Sequence, residues 1–269
     1  MKIRHLIFDL DNTLYPSTSA IDAGISRRMM EFVADFLNLP MDKAAALRKE
    51  RMPRYGTTLE WLRTEHGLKD VQAYFSYVHP KSEASELTPD KKLRPFLQSL
   101  GLPMTILTNA PRVHADTVLD FFDIKDLFES IHDIETNNLQ GKPHESAYMN
   151  AVKWGGHTLE DTLFFDDHAK YTRGYAAIGG KAVLVTGPDS GTPSSGAAAL
   201  TTGHGGTSSA GHGGALAQDN SAGVANSPQS GSAGGKTADG WDTTDPTAIA
   251  CIKTIYEIPE LLERLEGRA

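Results

Sequence analysis

Cysteine is almost absent from this chain of 269 residues: Cys251 stands alone, so no disulfide can form within it. Its apolar neighbours, Ile249 to Ile252, give it the reading of a small core residue. Long apolar runs are missing too. None approaches a membrane-spanning length, and the first is cut short by Asp9 and Asp11, so no signal peptide is expected and a soluble cytoplasmic protein is. Positive charge is in deficit, with 26 Lys and Arg against 34 Asp and Glu, a net charge of -8 and a pI near 5.7. That deficit argues against nucleic acid or an anionic membrane as a partner. An anionic substrate must then be held by a few placed cations or by a metal, and no protein partner is expected.

Large apolar residues are also scarce, at 39% for the hydrophobic set, but the shortage is local. Residues 187–246 hold fourteen of the chain's 25 glycines, with Ser, Ala and Thr filling most of the remainder. Such a segment cannot bury enough surface to offset the entropy of ordering it, and it reads as a disordered insertion. Its charges, Asp189, Asp219, Asp239, Asp242 and Asp245 against Lys236, are not those of a basic nucleic-acid arm.

The remainder is organised around His5-Leu6-Ile7-Phe8-Asp9-Leu10-Asp11. Leu6 to Phe8 read as a buried parallel strand that runs abruptly into two carboxylates. Positions two apart share one side of an extended chain, so Asp9 and Asp11 project together where an open α/β sheet binds its ligands. Two acids there repel unless a cation intervenes, which makes a divalent metal the natural third party.

Four helices are expected next, over 22–39, 41–51, 57–66 and 70–78, with Trp61, Tyr74, Phe75 and Tyr77 as their core. From Asp90 the pattern alternates: helices near 90–100, 111–122, 143–154 and up to 178, and strands at 104–107, 130–134, 162–165 and 181–185. A last strand, 248–255, and a helix from Pro259 to Glu266 close the chain. Strands separated by helices predict an α/β fold: a Rossmann-like parallel sheet with helices on both faces, formed by 1–16 and 88–269, with an α-helical cap inserted at 17–87.

Four polar clusters then fall at the C-terminal ends of four predicted strands: Asp9 with Asp11, Thr108 with Asn109, Lys142, and Asp166 with Asp167. A Thr-Asn pair can be only a helix cap, and a lysine or an acid pair only solvated. Together on one sheet edge they supply what phosphoryl transfer needs: an anionic nucleophile, carboxylates for a metal, a hydroxyl donor and a cation.

The order Asp9-Leu10-Asp11-Asn12-Thr13, Leu107-Thr108-Asn109, Gly141-Lys142-Pro143, Phe164-Phe165-Asp166-Asp167 resembles the four motifs of the haloacid dehalogenase superfamily of hydrolases. Asp11 to Pro16, Tyr55 to Leu59, and Thr108-Asn109-Ala110 followed by His114-Ala115 and Val118-Leu119 are most similar to its pyrimidine 5'-nucleotidase branch. The resemblance implies a Mg²⁺-dependent phosphatase of small phosphorylated metabolites. Asp9 would be the nucleophile and Asp11 the general acid and base. Thr108, Asn109 and Lys142 would hold the phosphoryl oxygens. Mg²⁺ would be bound by the Asp9 carboxylate, the Asp11 carbonyl and Asp167, with Asp166 beside it, and the cap would close over the site.

In many relatives the fourth motif continues with a serine and, three residues on, an asparagine or aspartate; His168 and Tyr171 stand there instead. The residues that orient the metal-binding acids must therefore differ. Asp11 argues against dehalogenation, since halide needs no proton. A phosphosugar phosphatase or mutase of the same superfamily, and a non-catalytic binding protein, are the alternatives.

Overall fold

The apolar segments assemble into one sheet in the computed structural model, which describes residues 2–16, 19–187 and 249–267. The segment 187–246, expected as a disordered insertion, lies outside these residues apart from Gly187. The strands are His5–Phe8 (β1), Met104–Leu107 (β2), Ser130–His132 (β3), Thr162–Asp166 (β4), Lys181–Val185 (β5) and Ile249–Ile252 (β6). They pair in the order β3-β2-β1-β4-β5-β6, and every pairing is parallel.

Ala20–Leu37 (α1), Met41–Arg51 (α2), Thr58–His66 (α3) and Val71–Val78 (α4) follow β1 without an intervening strand. Leu93–Ser99 (α5), Arg112–Phe121 (α6), Glu145–Lys153 (α7), Ala169–Ala177 (α8) and Ile258–Glu266 (α9) then alternate with or follow the strands.

Side chains alternate across each strand, so an unbroken apolar strand needs cover on both faces. Leu6 and Phe8 join Ile106, Phe165 and Val183 in one core with Leu97 of α5, Val118 of α6 and Leu261 of α9. Ile7 joins Leu107, Phe164 and Ala182 on the other face, under Tyr148 of α7 and Tyr175 of α8. The result is a Rossmann-like α/β sheet covered on both sides. Its strand order reverses at β1, with β2 on one flank and β4 on the other, and a ligand crevice forms outside the carboxyl ends at such a point.

The four helices after β1 hold a core of their own, built from Val33, Ala44, Leu62, Trp61, Tyr74, Phe75 and Val78. Local chemistry sets their ends. Asn38 closes α1 in the left-handed region (φ 51°), and the Thr57 hydroxyl caps α3 by accepting from the Glu60 N–H at 3.0 Å. No helix among the described residues is long and apolar enough to cross a membrane.

Several expectations need correction. Tyr77 is exposed, because Tyr74, Phe75 and Val78 take the inward face of α4 and leave it at the margin, within 3.4 Å of Glu31. Cys251 is exposed as well: on the outer strand β6, Ala250 and Ile252 are buried and Cys251 faces the other side. Strand β6 stops at Ile252 because Thr254 and Glu257 form a capping box that starts a short 3₁₀ turn. Helix α5 begins at Leu93 and not at Asp90, and Pro95 accordingly marks its first turn, one of the two places expected for it. Pro111 is the residue that caps α6, not the first residue inside it.

Candidate active site

Three of the four polar clusters leave the carboxyl ends of the neighbouring strands β1, β2 and β4, and Lys142 joins them from the loop between β3 and α7. Asp9 extends the ladder by one bond beyond β1, from its N–H to the Phe165 carbonyl at 2.8 Å. Lys142 joins two of the clusters directly: its ammonium lies 2.7 Å from Asp9 Oδ1 and 2.6 Å from Asp166 Oδ2. The lysine side chain is 1% exposed and that of Asp166 is fully buried, so the pairs are screened little by solvent.

Asn109 places that lysine. Its side-chain Nδ2 donates to the Lys142 carbonyl at 2.9 Å and its Oδ1 accepts from the Lys142 N–H at 2.7 Å. The loop after β2 is thereby tied to the loop before α7, whose Lys142–Pro143 peptide is cis. Glycine is required at 141, since a Cβ there would overlap Asn109 Oδ1 and approach Ile134 Cδ1 to 2.8 Å. Gly141→Ala is expected to break the Asn109 bonds and shift Lys142, at a cost of about 1–3 kcal/mol in stability and about 10²-fold in kcat. Thermal unfolding and steady-state kinetics check both. The buried Thr108 hydroxyl accepts from the Ala110 N–H at 3.0 Å, which leaves its own hydrogen to donate.

The departure in the fourth motif finds its explanation here. The Tyr171 ring lies 5.2 Å from the Lys142 ammonium and Phe164 lies 5.5 Å from it, so aromatic faces flank the cation. The His168 N–H donates to Asp166 Oδ1 at 2.7 Å and its ring to Asp167 Oδ1 at 2.8 Å. Asp166 therefore spends its oxygens on Lys142 and His168, and Asp167, 18% exposed, is the more open carboxylate. Tyr171 also reaches across to the helical insert, donating to the Gly56 carbonyl at 2.9 Å; Lys170 donates to the Tyr55 carbonyl, and His144 meets Glu60 at 2.9 Å. These contacts seat the loop 55–57 of the insert beside Lys142.

Three carboxylates, Asp9, Asp166 and Asp167, crowd the centre around the Lys142 ammonium, with the His168 imidazole at its edge on Asp167. Burial pushes the Asp9 carboxyl well above the usual carboxylate range; Lys142 opposes this, and the other acids reinforce it. Burial also draws Lys142 down, but Asp166 and Asp9 outweigh it and keep the ammonium charged. His168 is lifted to about 9, since Asp167 overcomes the effect of burial. A centre that draws protons onto its own groups lacks positive charge, and its open donors are carboxylate oxygens. Oxygen donors of this kind would suit Mg²⁺; the ligand atoms of Asp166, Asp167 and His168 lie within 4.8 Å of one another, and Asp9 is the further carboxylate expected to join Asp167 in holding it.

Asp11 stands apart from this cluster, in company that sequence spacing did not show. Its Oδ1 accepts from the Tyr15 hydroxyl and meets His114 Nε2 at 2.7 Å, and the other imidazole nitrogen meets Glu83 Oε1 at 2.8 Å. Burial would raise Asp11, but the imidazolium and the two hydrogen bonds hold it down to about 2; His114, against its own burial, is raised to about 10. The Asp11–His114 pair thus holds one proton near neutral pH, on Nε2. The available signal was a histidine on the inward face of α6 beside Ala115, Val118 and Leu119, a polar group in an apolar row.

A family model described as haloacid dehalogenase-like hydrolase matches residues 3–179. Phosphate metabolism protein 8 of Saccharomyces cerevisiae is 26% identical over 187 residues, 64% of this chain; the chain spans 58% of that relative's length. Among solved structures, an L-2-haloacid dehalogenase of Xanthobacter autotrophicus is 18% identical with a TM-score of 0.45, over 68% of this chain and 77% of that one. A haloacid dehalogenase-type phosphatase of Thermococcus onnurineus is 16% identical with a TM-score of 0.47, over 71% and 88%.

Proposed function

The chain belongs to the haloacid dehalogenase-like hydrolases, and from that premise we propose that it hydrolyses small phosphate monoesters through a phosphoryl group carried on Asp9. The observation that carries this reading is Asp11: an acid with a hydrogen-bonded proton partner serves an alkoxide leaving group, which must be protonated, and has no use for halide. A carboxylate of Asp9 attacks phosphorus, and the new O–P bond replaces the bond to the alcohol. The alcohol oxygen departs with the electron pair and takes, through Asp11, the proton held by the Asp11–His114 pair. Water then gives its proton to Asp11 and attacks phosphorus, so the Asp9–phosphoryl bond breaks and phosphate leaves.

Lys142 and the Thr108 hydroxyl receive the phosphoryl oxygens, and the Asn109 ties keep Lys142 in place against the added negative charge. Mg²⁺, when bound by Asp9, the Asp11 carbonyl and Asp167, supplies the positive charge that lets an anion approach the Asp9 carboxylate.

For the substrate class we propose pyrimidine nucleoside 5'-monophosphates, on the resemblance in residues 11–16 and 55–59. Phosphate release from nucleoside monophosphates, sugar phosphates and an aryl phosphate, with Mg²⁺ and with chelator, tests the reading. Metal-dependent release favouring UMP and CMP is expected; a preference for sugar phosphates would overturn the substrate class, and release from none would overturn the phosphatase.

A further inference from the structure

We infer that His114 is the positioning residue for Asp11, and that Glu83 ties that position to the helical insert. The inference rests on the phosphatase reading, in which Asp11 must present a carboxyl oxygen to the leaving group. Both ring nitrogens of His114 face carboxylates, Asp11 at 2.7 Å and Glu83 at 2.8 Å, and a carboxylate can only accept. The imidazole is therefore a two-sided donor wedged between them, with no exposure of its own. Its bond and that of Tyr15 both fall on Asp11 Oδ1. Asp11 Oδ2 takes no hydrogen bond among the described residues, and the side chain is 27% exposed. The carboxyl is thus held by one oxygen and offers the other.

The far side of the wedge belongs to the insert. Glu83 sits in the 3₁₀ turn Lys81–Glu86, on the segment that returns the chain from α4 to the sheet domain, and it is 1% exposed. His79 Nδ1 lies 3.1 Å from its Oε2 and Arg28 of α1 lies 3.7 Å away. Arg28 also donates to the Val78 carbonyl at 2.7 Å and to Glu86 at 2.8 Å. Helix α1 packs tightly on the turn, where a Cβ on Gly24 would overlap the Glu86 carboxylate. Helix α1, the turn and Glu83 therefore move together, and Glu83 carries their position to His114 and on to Asp11. A helical insert that shifts over the site would re-aim the acid without touching it.

Leaving-group dependence separates this role from a structural one. An aryl phosphate expels a weakly basic oxygen and needs little protonation, whereas a nucleoside or sugar phosphate expels an alkoxide and needs it fully. We expect Glu83→Gln and His114→Gln each to lower kcat/KM for the alkyl ester by about 10²-fold, and for p-nitrophenyl phosphate by at least tenfold less than that. His114→Gln keeps a donor for Asp11 without the second link to Glu83, and Glu83→Gln keeps the packing, so each protects the result if the other fails to fold. Equal losses on both esters, or no loss on the alkyl ester, would overturn the inference while leaving the phosphatase standing. Failure of the unaltered protein on every ester would overturn both.

Discussion

Asp9→Asn is expected to lower turnover of every phosphate ester by at least about 10³-fold while the fold survives, because the amide cannot serve as the attacking oxygen anion. The change is isosteric. It relieves the burial of a carboxylate whose pKa is pushed up by its surroundings, and Lys142 keeps its 2.6 Å contact with Asp166. The thermal transition should therefore move little. Activity retained in this variant would remove the covalent mechanism, and unfolding would show that Asp9 is needed to hold the site together.

Lys142→Met carries the largest expected loss of stability. The methionine stem fits between Phe164 and Tyr171, but Asp9 and Asp166 lose their shared cation, and removing one partner of a buried pair costs about 3–5 kcal/mol. Activity should fall by at least about 10²-fold, since a preorganised charge on the phosphoryl oxygens is lost. The deficit should also depend on pH. Burial already lifts Asp9 and Asp166 above their ordinary 3.8, and without Lys142 the main opposition is lost, leaving only His168 to hold Asp166 down. The folded variant then binds more protons than the unfolded chain above that value, so its stability declines as pH rises and its deficit is smallest in acid. Denaturant unfolding at several pH values checks this; a deficit that grew towards acid would contradict the account.

The sheet was legible because its signals are local. An apolar run ended by acids marked β1, and Leu107-Thr108-Asn109 and Phe165-Asp166-Asp167 repeated the same grammar at β2 and β4. Parallel pairing then brought together what periodicity had placed on separate strand ends. Tyr77 and Cys251 were misread because composition shows that a segment is apolar, not which member faces out; on α4 and β6 the phase of burial decided that. His168 and Tyr171 looked like defects against the family pattern. In space they put a backbone donor on Asp166 and an aromatic face on Lys142. The link from Asp11 to the helical insert was illegible for another reason. His114 lies 103 residues from Asp11 and 31 from Glu83, and only folding brings the three together.

If Asp9 carries the phosphoryl group, that group can be trapped on the protein. The unaltered chain is mixed with Mg²⁺ and an aryl phosphate, quenched in acid within the first turnover, and digested for mass spectrometry. One phosphoryl adduct is expected on the peptide that contains Asp9, absent from Asp9→Asn. Phosphate release with no adduct, or an adduct on any other residue, would contradict that role of Asp9.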